Sequence, residues 1–178
     1  QILYEVHDPS TYLTPDAIVD FTGVEFHERN KDTVEITGAL AEPRPDTLKV
    51  TVAYEGPFVG EGLISYAGPG AVDRARLAAD IVESRIERSE IEPFDQRVDL
   101  IGINALHDEV GAERTESLPY EARLRVVGMF ETYEEAARVP REVFALLTNG
   151  PAGGGGERIN VERQMNVTSA VIDREAVT

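Results

Sequence analysis

From Phe58 onward, the apolar residues change between two spacings in a regular order. Alternation of apolar and polar residues is typical of half-buried strands, and steps of three and four residues are typical of helices with one buried face. The spacings predict six elements in the order strand, helix, strand, strand, helix, strand. Their approximate bounds are residues 58–66, 71–86, 98–103, 122–127, 132–148 and 161–172.

This order of elements predicts a fold class. The order βαββαβ is the split βαβ arrangement of ferredoxin-like folds, and right-handed crossovers place both helices on one face of an antiparallel sheet. We therefore expect an α/β (α+β) ferredoxin-like domain over residues 47–178, with a further strand around Leu48 at an edge of the sheet. Pro140 interrupts the second helical pattern, which predicts a kink or two shorter helices.

Residues 1–46 are predicted to be a lead-in to this domain. Thr14-Pro15-Asp16 combines a hydroxyl cap, a proline and an early acid, which predicts the start of a short helix. Alternating residues on both sides of Asn30-Lys31-Asp32 predict a β-hairpin over residues 24–37.

The first residue is Gln1 rather than methionine, which favours a piece of a longer polypeptide. We expect residues 1–46 to connect to a missing N-terminal domain or to a second subunit, and we expect an oligomer. An apolar patch around Tyr4, Tyr12 and Phe21 is the surface that this partner is expected to cover.

Acidic residues outnumber basic ones, 33 against 17, and the net charge is −16. Such a surface repels nucleic-acid phosphates and anionic membranes, so neither is expected as a partner. No apolar run reaches the roughly 18 residues of a membrane-spanning helix. The chain has no cysteine, and its 3 histidines are far apart in sequence, so no metal site or other cofactor is expected. These features predict a cytoplasmic protein.

The basic residues are almost all arginine, because lysine occurs only as Lys31 and Lys49. A high-salt cytoplasm selects many surface acids and few lysines. A GC-rich genome, which encodes Arg, Ala and Glu, produces the same bias. The sequence leaves both explanations open.

Three connections of a βαββαβ sheet lie at the same end: residues 66–70, 104–119 and 149–156. Two of them are rich in glycine, which allows close approach of a ligand to the backbone, and the first opens a helix whose N–H groups attract anions. We predict a site for a carboxylate or phosphate group there, which a branched side chain at position 154 should block without touching the core. The residues expected to form this site are Tyr66, Gly68, Gly70, Arg74, Asn149, Gly153, Gly154, Gly155 and Gly156.

Each part of this predicted site also has a purely structural explanation. Gly68-Pro69-Gly70 is typical of a turn that starts a helix, and Gly150 is typical of the left-handed residue that ends one. The run 153–156 has a flexible linker as its rival explanation, but four adjacent glycines lose much conformational entropy on folding, which favours a function. Arg74 either binds the anion or pairs with a nearby acid, and the sequence does not decide.

Several distinctive blocks are spread over nearly the whole chain. They are Tyr66-Ala67-Gly68-Pro69-Gly70-Ala71, Asp99-Leu100-Ile101-Gly102-Ile103-Asn104 and residues 4–9, 12–16, 20–21, 45–50, 62, 73–75 and 149–156. In these blocks the chain resembles the acyclic terpene utilisation (AtuA-type) family. Members of that family are longer and carry an N-terminal α/β domain. The lead-in at residues 1–46 fits a connection to such a domain.

The resemblance implies a role in the breakdown of acyclic isoprenoids, a route that runs on coenzyme A thioesters. We expect the C-terminal domain of a metabolic enzyme, a lyase or hydratase that acts on a branched carboxylic acid or its CoA thioester. The alternatives are a non-catalytic domain that completes an assembly and a regulatory domain that binds a small molecule. As acid–base candidates the sequence offers His7, Asp8, Asp16 and His107.

Overall fold

The computed structural model describes residues 4, 6–107 and 118–177 and divides the chain into two compact units. Unit 1 comprises residues 1–54 and 167–178, and unit 2 comprises residues 55–166. The connection of residues 1–46 to a further domain or subunit stays a prediction. In chain order the elements are β1 (Tyr12–Leu13), β2 (Ile18–Asp20), β3 (Glu25–Asn30), β4 (Thr33–Thr37), β5 (Leu40–Glu42), β6 (Thr47–Ala67), α1 (Ala71–Arg88), β7 (Asp95–Ile101), β8 (Glu121–Phe130), α2 (Tyr133–Ala136), α3 (Arg138–Asn149), β9 (Gly154–Asp173) and a final 3₁₀ turn (Arg174–Val177).

Unit 2 contains the sheet on which the predicted α/β fold class rests. Its strand order is β7-β8-β6-β9, and β8 pairs antiparallel with both β6 and β7. The mixed α/β class with antiparallel pairing is confirmed, but the sheet layout differs from the prediction. The strand expected at an edge around Leu48 is the first part of the 21-residue strand β6, because Gly56-Pro57 does not end that strand.

Unit 1 contains two small sheets, one formed by β1, β2 and β5 and the other by β3 and β4. The predicted hairpin over residues 24–37 is confirmed, with a register shift between Glu28 and Asn30. The predicted helix start at Thr14-Pro15-Asp16 is wrong. The Thr14 hydroxyl accepts a hydrogen bond from the Ala17 N–H at 3.0 Å and so closes a tight turn between β1 and β2.

The core of unit 2 follows the alternation of β6 and β8. Ile64, Leu124 and Val126 are fully buried and pack in one cluster with the buried residues of α1 and α3. The first helix buries one face, as its spacing of three and four residues predicts, and the residues at these steps are buried: Ala71, Ala75, Ala78, Val82 and Ile86. Because side chains alternate across a strand, the odd-numbered residues of β6 and β8 lie on the opposite face of the sheet.

Pro140 divides the second helical segment into two helices, one of the two predicted outcomes. Thr132 and Glu135 form a capping box at the start of α2. Pro140 is the third residue of α3, where the backbone N–H has no acceptor inside the helix. The proline therefore starts a new helix at no loss of a hydrogen bond.

Helix α1 contains a half-buried carboxylate, Glu83, that opposes folding at neutral pH. Burial, and then the charges of Asp80 and Glu87, raise the pKa of Glu83 above its ordinary value. The pKa of a Glu side chain is about 4.3 in the unfolded chain and is higher for Glu83 in the folded protein. This difference contributes stability below about pH 4.3, and the contribution is lost as the pH rises through the pKa of the folded protein.

We therefore expect Glu83→Gln to raise the free energy of unfolding at pH 7 by about 0.5–1 kcal/mol. The gain should vanish below about pH 4, where the native carboxyl is itself neutral. Urea unfolding at the two pH values measures the difference. Glu92→Gln, at an exposed position after α1, is the control and should leave the midpoint unchanged. Superimposable curves for wild type and Glu83→Gln at pH 7 would contradict the expectation.

Candidate functional site

The face of the unit 2 sheet that points away from the buried core carries a group of charged side chains. We call it the charged face; its members are Glu61, Arg97, Asp99, Arg123 and Arg125. They occupy alternate positions of β6, β7 and β8, so the two-residue period of a strand brings them to one side. Register places Asp99 of β7 directly opposite Arg125 of β8.

Asp99 is the centre of this group. It is only 4% exposed and is the buried charged residue among those that the structure describes. Arg97 Nε donates to Asp99 Oδ1 at 2.6 Å, and Arg125 Nη1 donates to Asp99 Oδ2 at 3.0 Å. Arg125 Nε continues the network to Glu61 Oε1 at 2.6 Å. Both oxygens of the buried carboxylate are therefore bound by guanidinium groups.

The two carboxylates keep Arg125 charged in a half-buried position. Burial acts to lower the pKa of Arg125, but the hydrogen bonds and charges of Glu61 and Asp99 outweigh it and raise that pKa above the ordinary value. Arg97 is held as well, because its Nη2 donates to the Ala105 carbonyl oxygen at 2.7 Å. The network thus orients two guanidinium groups.

A cavity of about 670 Å³ lies against the charged face. Arg97, Asp99 and Arg125 form its polar wall. Its other lining residues are mostly apolar and include Ile101, Ile103 and Leu106, and His107 stands at the end of the described segment. The remainder of the predicted loop, residues 108–117, lies outside the described residues. The cavity therefore combines oriented positive groups with an apolar wall.

The predicted glycine loops lie next to each other and are joined by Arg74. Its Nη2 donates to the Ala67 carbonyl oxygen at 2.7 Å, and its Nη1 donates to the Ala152 carbonyl oxygen at 2.8 Å. The Gly68 N–H donates to the Tyr120 carbonyl oxygen at 2.8 Å, which brings the end of the third connection to the same place. Arg74 thus contacts carbonyl oxygens of both loops.

The glycine run is in large part the start of a strand. Gly154 to Gly156 belong to β9, and a Cβ atom at Gly154 would lie 2.9 Å from Ile64 Cδ1 and 3.1 Å from the Tyr66 ring. The expectation that a branched side chain at position 154 leaves the core untouched is therefore wrong. The backbone of Gly150 is extended, with φ −120°, and is not the left-handed end of a helix.

The two remaining side chains of the predicted anion site differ in exposure. Tyr66 is fully buried, and its hydroxyl has no hydrogen-bond partner within the described part of the chain. Burial raises the pKa of Tyr66, although the positive charge of Arg74 acts in the opposite direction. Asn149 ends α3, where its side-chain amide donates to Thr148 Oγ1 at 3.2 Å.

The four predicted acid–base residues do not form one group. His7 and Asp8 line a cavity of about 270 Å³ in unit 1 together with Lys49, whereas His107 lines the cavity of the charged face in unit 2. Hydrogen bonds from the Ser10 hydroxyl and N–H lower the pKa of Asp8. Asp16 is exposed in the turn between β1 and β2 and lines neither cavity.

Sequence reasoning missed all five residues of the charged face. A usable signal was present, because β7 carries an arginine and an aspartate two residues apart, and β8 carries two arginines with the same spacing. A solvated strand face shows the same pattern. Only the pairing of β7 with β8 distinguishes a buried ion pair from that ordinary case.

The described residues contain no group of three or more His, Asp or Glu side chains that could hold a metal ion. None of the helices in residues 4, 6–107 and 118–177 has the length and apolarity needed to cross a membrane.

Comparison with known families connects this structure to metabolism. The model of the family described as "Acyclic terpene utilisation family protein AtuA" matches residues 1–178, the whole chain. The chain belongs to this family. Membership indicates a role in acyclic terpene utilisation. Searches of curated proteins and of solved structures found no match.

Proposed function

We propose that this chain is part of an enzyme of acyclic isoprenoid breakdown, a lyase or hydratase that acts on a branched carboxylic acid or its CoA thioester. The family supports the pathway. The observation that carries the enzymatic role is the cavity against the charged face, where a histidine and two held arginines face an apolar wall. Such a mixture of apolar surface and a few convergent polar groups is typical of a small-molecule site.

His107 is the acid–base group that we assign to this cavity. Histidine is the side chain that most often acts as a general acid or base, and the addition or removal of water next to a carbonyl group needs such a group. Its neighbours in the cavity, Arg97 and Arg125, would hold the negative charge of the substrate. The remaining candidates, His7, Asp8 and Asp16, belong to unit 1 and stay proposals for a second role.

The first glycine loop, residues 66–70, supplies a second place for an anionic group of a thioester. A cavity of about 320 Å³ lies at the start of α1 and is lined by Gly68, Gly70 and Tyr120, among others.

We also propose that the unit 2 sheet has the ferredoxin-like arrangement, which its strand order and the βαββαβ order of its elements support. The further partner that we propose is a second domain or subunit, in a cytoplasmic oligomer.

The experiment is turnover by the native protein with branched acids and their CoA thioesters, with products identified by mass spectrometry. We expect His107→Gln to lower kcat by about 100-fold or more, the usual contribution of a general acid or base. His27→Gln is the matched control, because His27 lies in the β3–β4 hairpin and contacts Thr37 at 3.2 Å. It should retain full turnover.

The second candidate function is a structural domain that completes an assembly, and the same experiment separates it from the enzyme. If the native protein converts a substrate and His107→Gln converts it equally fast, the chemistry lies outside the cavity of the charged face, which favours a structural role for unit 2. Because His107 is exposed, the variant should fold as the native protein does, and thermal unfolding checks this directly.

A further inference from the structure

The buried carboxylate of Asp99 is poorly explained by stability alone. A buried ion pair contributes little to folding once the desolvation of both charges is included. Asp99 nevertheless has both oxygens bound, to Arg97 Nε at 2.6 Å and to Arg125 Nη1 at 3.0 Å. Because each guanidinium loses its rotational freedom in this arrangement, Asp99 fixes the direction in which two arginines face the cavity.

Arg125 keeps donors for a ligand. Its Nε binds Glu61 and its Nη1 binds Asp99, whereas its Nη2 has no hydrogen-bond partner within the described part of the chain. The side chain is 34% exposed and lines the 670 Å³ cavity. A half-buried guanidinium with unused N–H groups is suited to a planar oxyanion.

The charged face carries both signs of charge. Beside its three arginines and two carboxylates, the same alternation along β7 and β8 places Asp95 and Glu121 on this side of the sheet. Arg123 donates to neutral oxygens, Ser65 Oγ at 3.4 Å and the Gly156 carbonyl at 3.1 Å. What this face offers an anion is therefore oriented guanidinium N–H groups and not a net positive charge.

The apolar wall of the cavity defines the other half of the ligand. Ile101 and Ile103 line it beside the arginines, and the side chain of Leu106, which is 90% exposed, borders it. Exposed apolar side chains next to oriented cations are matched by a molecule that has a hydrophobic tail and one anionic end.

We propose that the charged face of unit 2 is a binding site for a monocarboxylate with a branched apolar tail, in which Arg125 binds the carboxylate and Asp99 acts as the positioning residue. The assignment deepens the proposed function, on which it rests for the acyclic tail. The anionic end has a second possible source, the phosphate groups of a CoA thioester, and the experiment separates the two.

The test is calorimetric binding of 3,7-dimethyloctanoate to the native protein, without turnover. We expect the acid to bind at least tenfold more tightly than the alcohol of the same carbon skeleton, because only the acid has a charge for Arg125. Equal affinities for the acid and the alcohol would overturn the proposal, and this arm needs no variant. Tighter binding of the CoA thioester than of the free acid, or equal competition by inorganic phosphate, would also overturn it.

Arg125→Met should weaken binding of the acid by about tenfold or more and should leave binding of the alcohol unchanged. Arg163→Met is the matched control, since Arg163 is also paired with a glutamate at 2.6 Å but does not line the cavity. Equal effects of the two substitutions would contradict the assignment. If Arg125→Met does not fold, Arg125→Lys serves, because it keeps the charge but loses the fork and should still weaken binding.

Asp99→Asn tests the positioning role. The amide keeps the shape but no longer holds two guanidinium groups, so we expect the affinity for the acid to fall while the affinity for the alcohol remains. A uniform loss for both ligands would indicate a structural role only. Binding of the acid by a protein without turnover would leave this inference intact and remove the proposed enzyme. If the native protein turns a substrate over but Arg125→Met binds the acid with native affinity, the proposed enzyme stands and this inference is overturned.

Discussion

Substitution of Gly60 by alanine is expected to lower the free energy of unfolding by about 3 kcal/mol or more, at the upper end of the range for overpacked cores. A Cβ atom at this position would lie 1.9 Å from the carbonyl oxygen of Ala136 and 2.8 Å from its carbonyl carbon. The contacting atoms belong to the backbone at the end of α2, so no side-chain rotation relieves the overlap. The helix must move away from β6.

Thermal unfolding measures this effect as a fall in Tm of roughly 6–12 °C, since 1 kcal/mol corresponds to about 2–4 °C in a chain of this size. Gly155→Ala is the matched control: a Cβ atom there has no described neighbour within 4 Å, and its φ angle is not in the left-handed region. The control should change Tm by little or raise it slightly. Unaltered Tm in Gly60→Ala would show that α2 does not pack on β6 as described.

The sequence predicted those elements that are long and regular. The buried face of α1 repeats over 18 residues, so its period is unambiguous, and β8 alternates over 10 residues. Thr14 was misassigned because one hydroxyl group has two uses, to cap a helix and to close a tight turn. The two uses differ in whether the following residues form a helix or a strand. Residues 18–20 form a strand, which pairs with β1 and β5.

The candidate site could not be predicted because it depends on pairing between distant residues. Asp99 becomes buried only when Arg125, 26 residues later, lies opposite it in the neighbouring strand. In sequence, Arg97 and Asp99 are two charges on a short strand, which most often face solvent. The glycine run suggested a site on local composition alone, whereas close packing against Ile64 and Tyr66 explains Gly154.

The sequence placed Arg74 in the predicted anion site but left its role open, and in the described part of the chain its hydrogen-bond partners are neutral carbonyl oxygens rather than an acid. The guanidinium donates four hydrogen bonds to the carbonyl oxygens of Ala67, Pro69, Gly70 and Ala152. An arginine has five N–H groups, so most of its donors are used within the protein. Its main effect should therefore be to hold the two glycine loops together.

We expect Arg74→Ala to lower the free energy of unfolding by about 1–3 kcal/mol, the sum of several partly exposed hydrogen bonds. Amide exchange in residues 67–70 and 150–153 should become faster, since these loops lose their common partner, while exchange in β8 stays slow. Arg76→Ala, two positions along α1, is the control. Arg76 is 52% exposed, and its nearest carboxylate, that of Asp73, is 3.9 Å away, so its removal should change stability by less than about 0.5 kcal/mol. If Arg74→Ala instead leaves loop exchange unchanged and abolishes binding of inorganic phosphate, Arg74 binds an anion and the loops hold together without it.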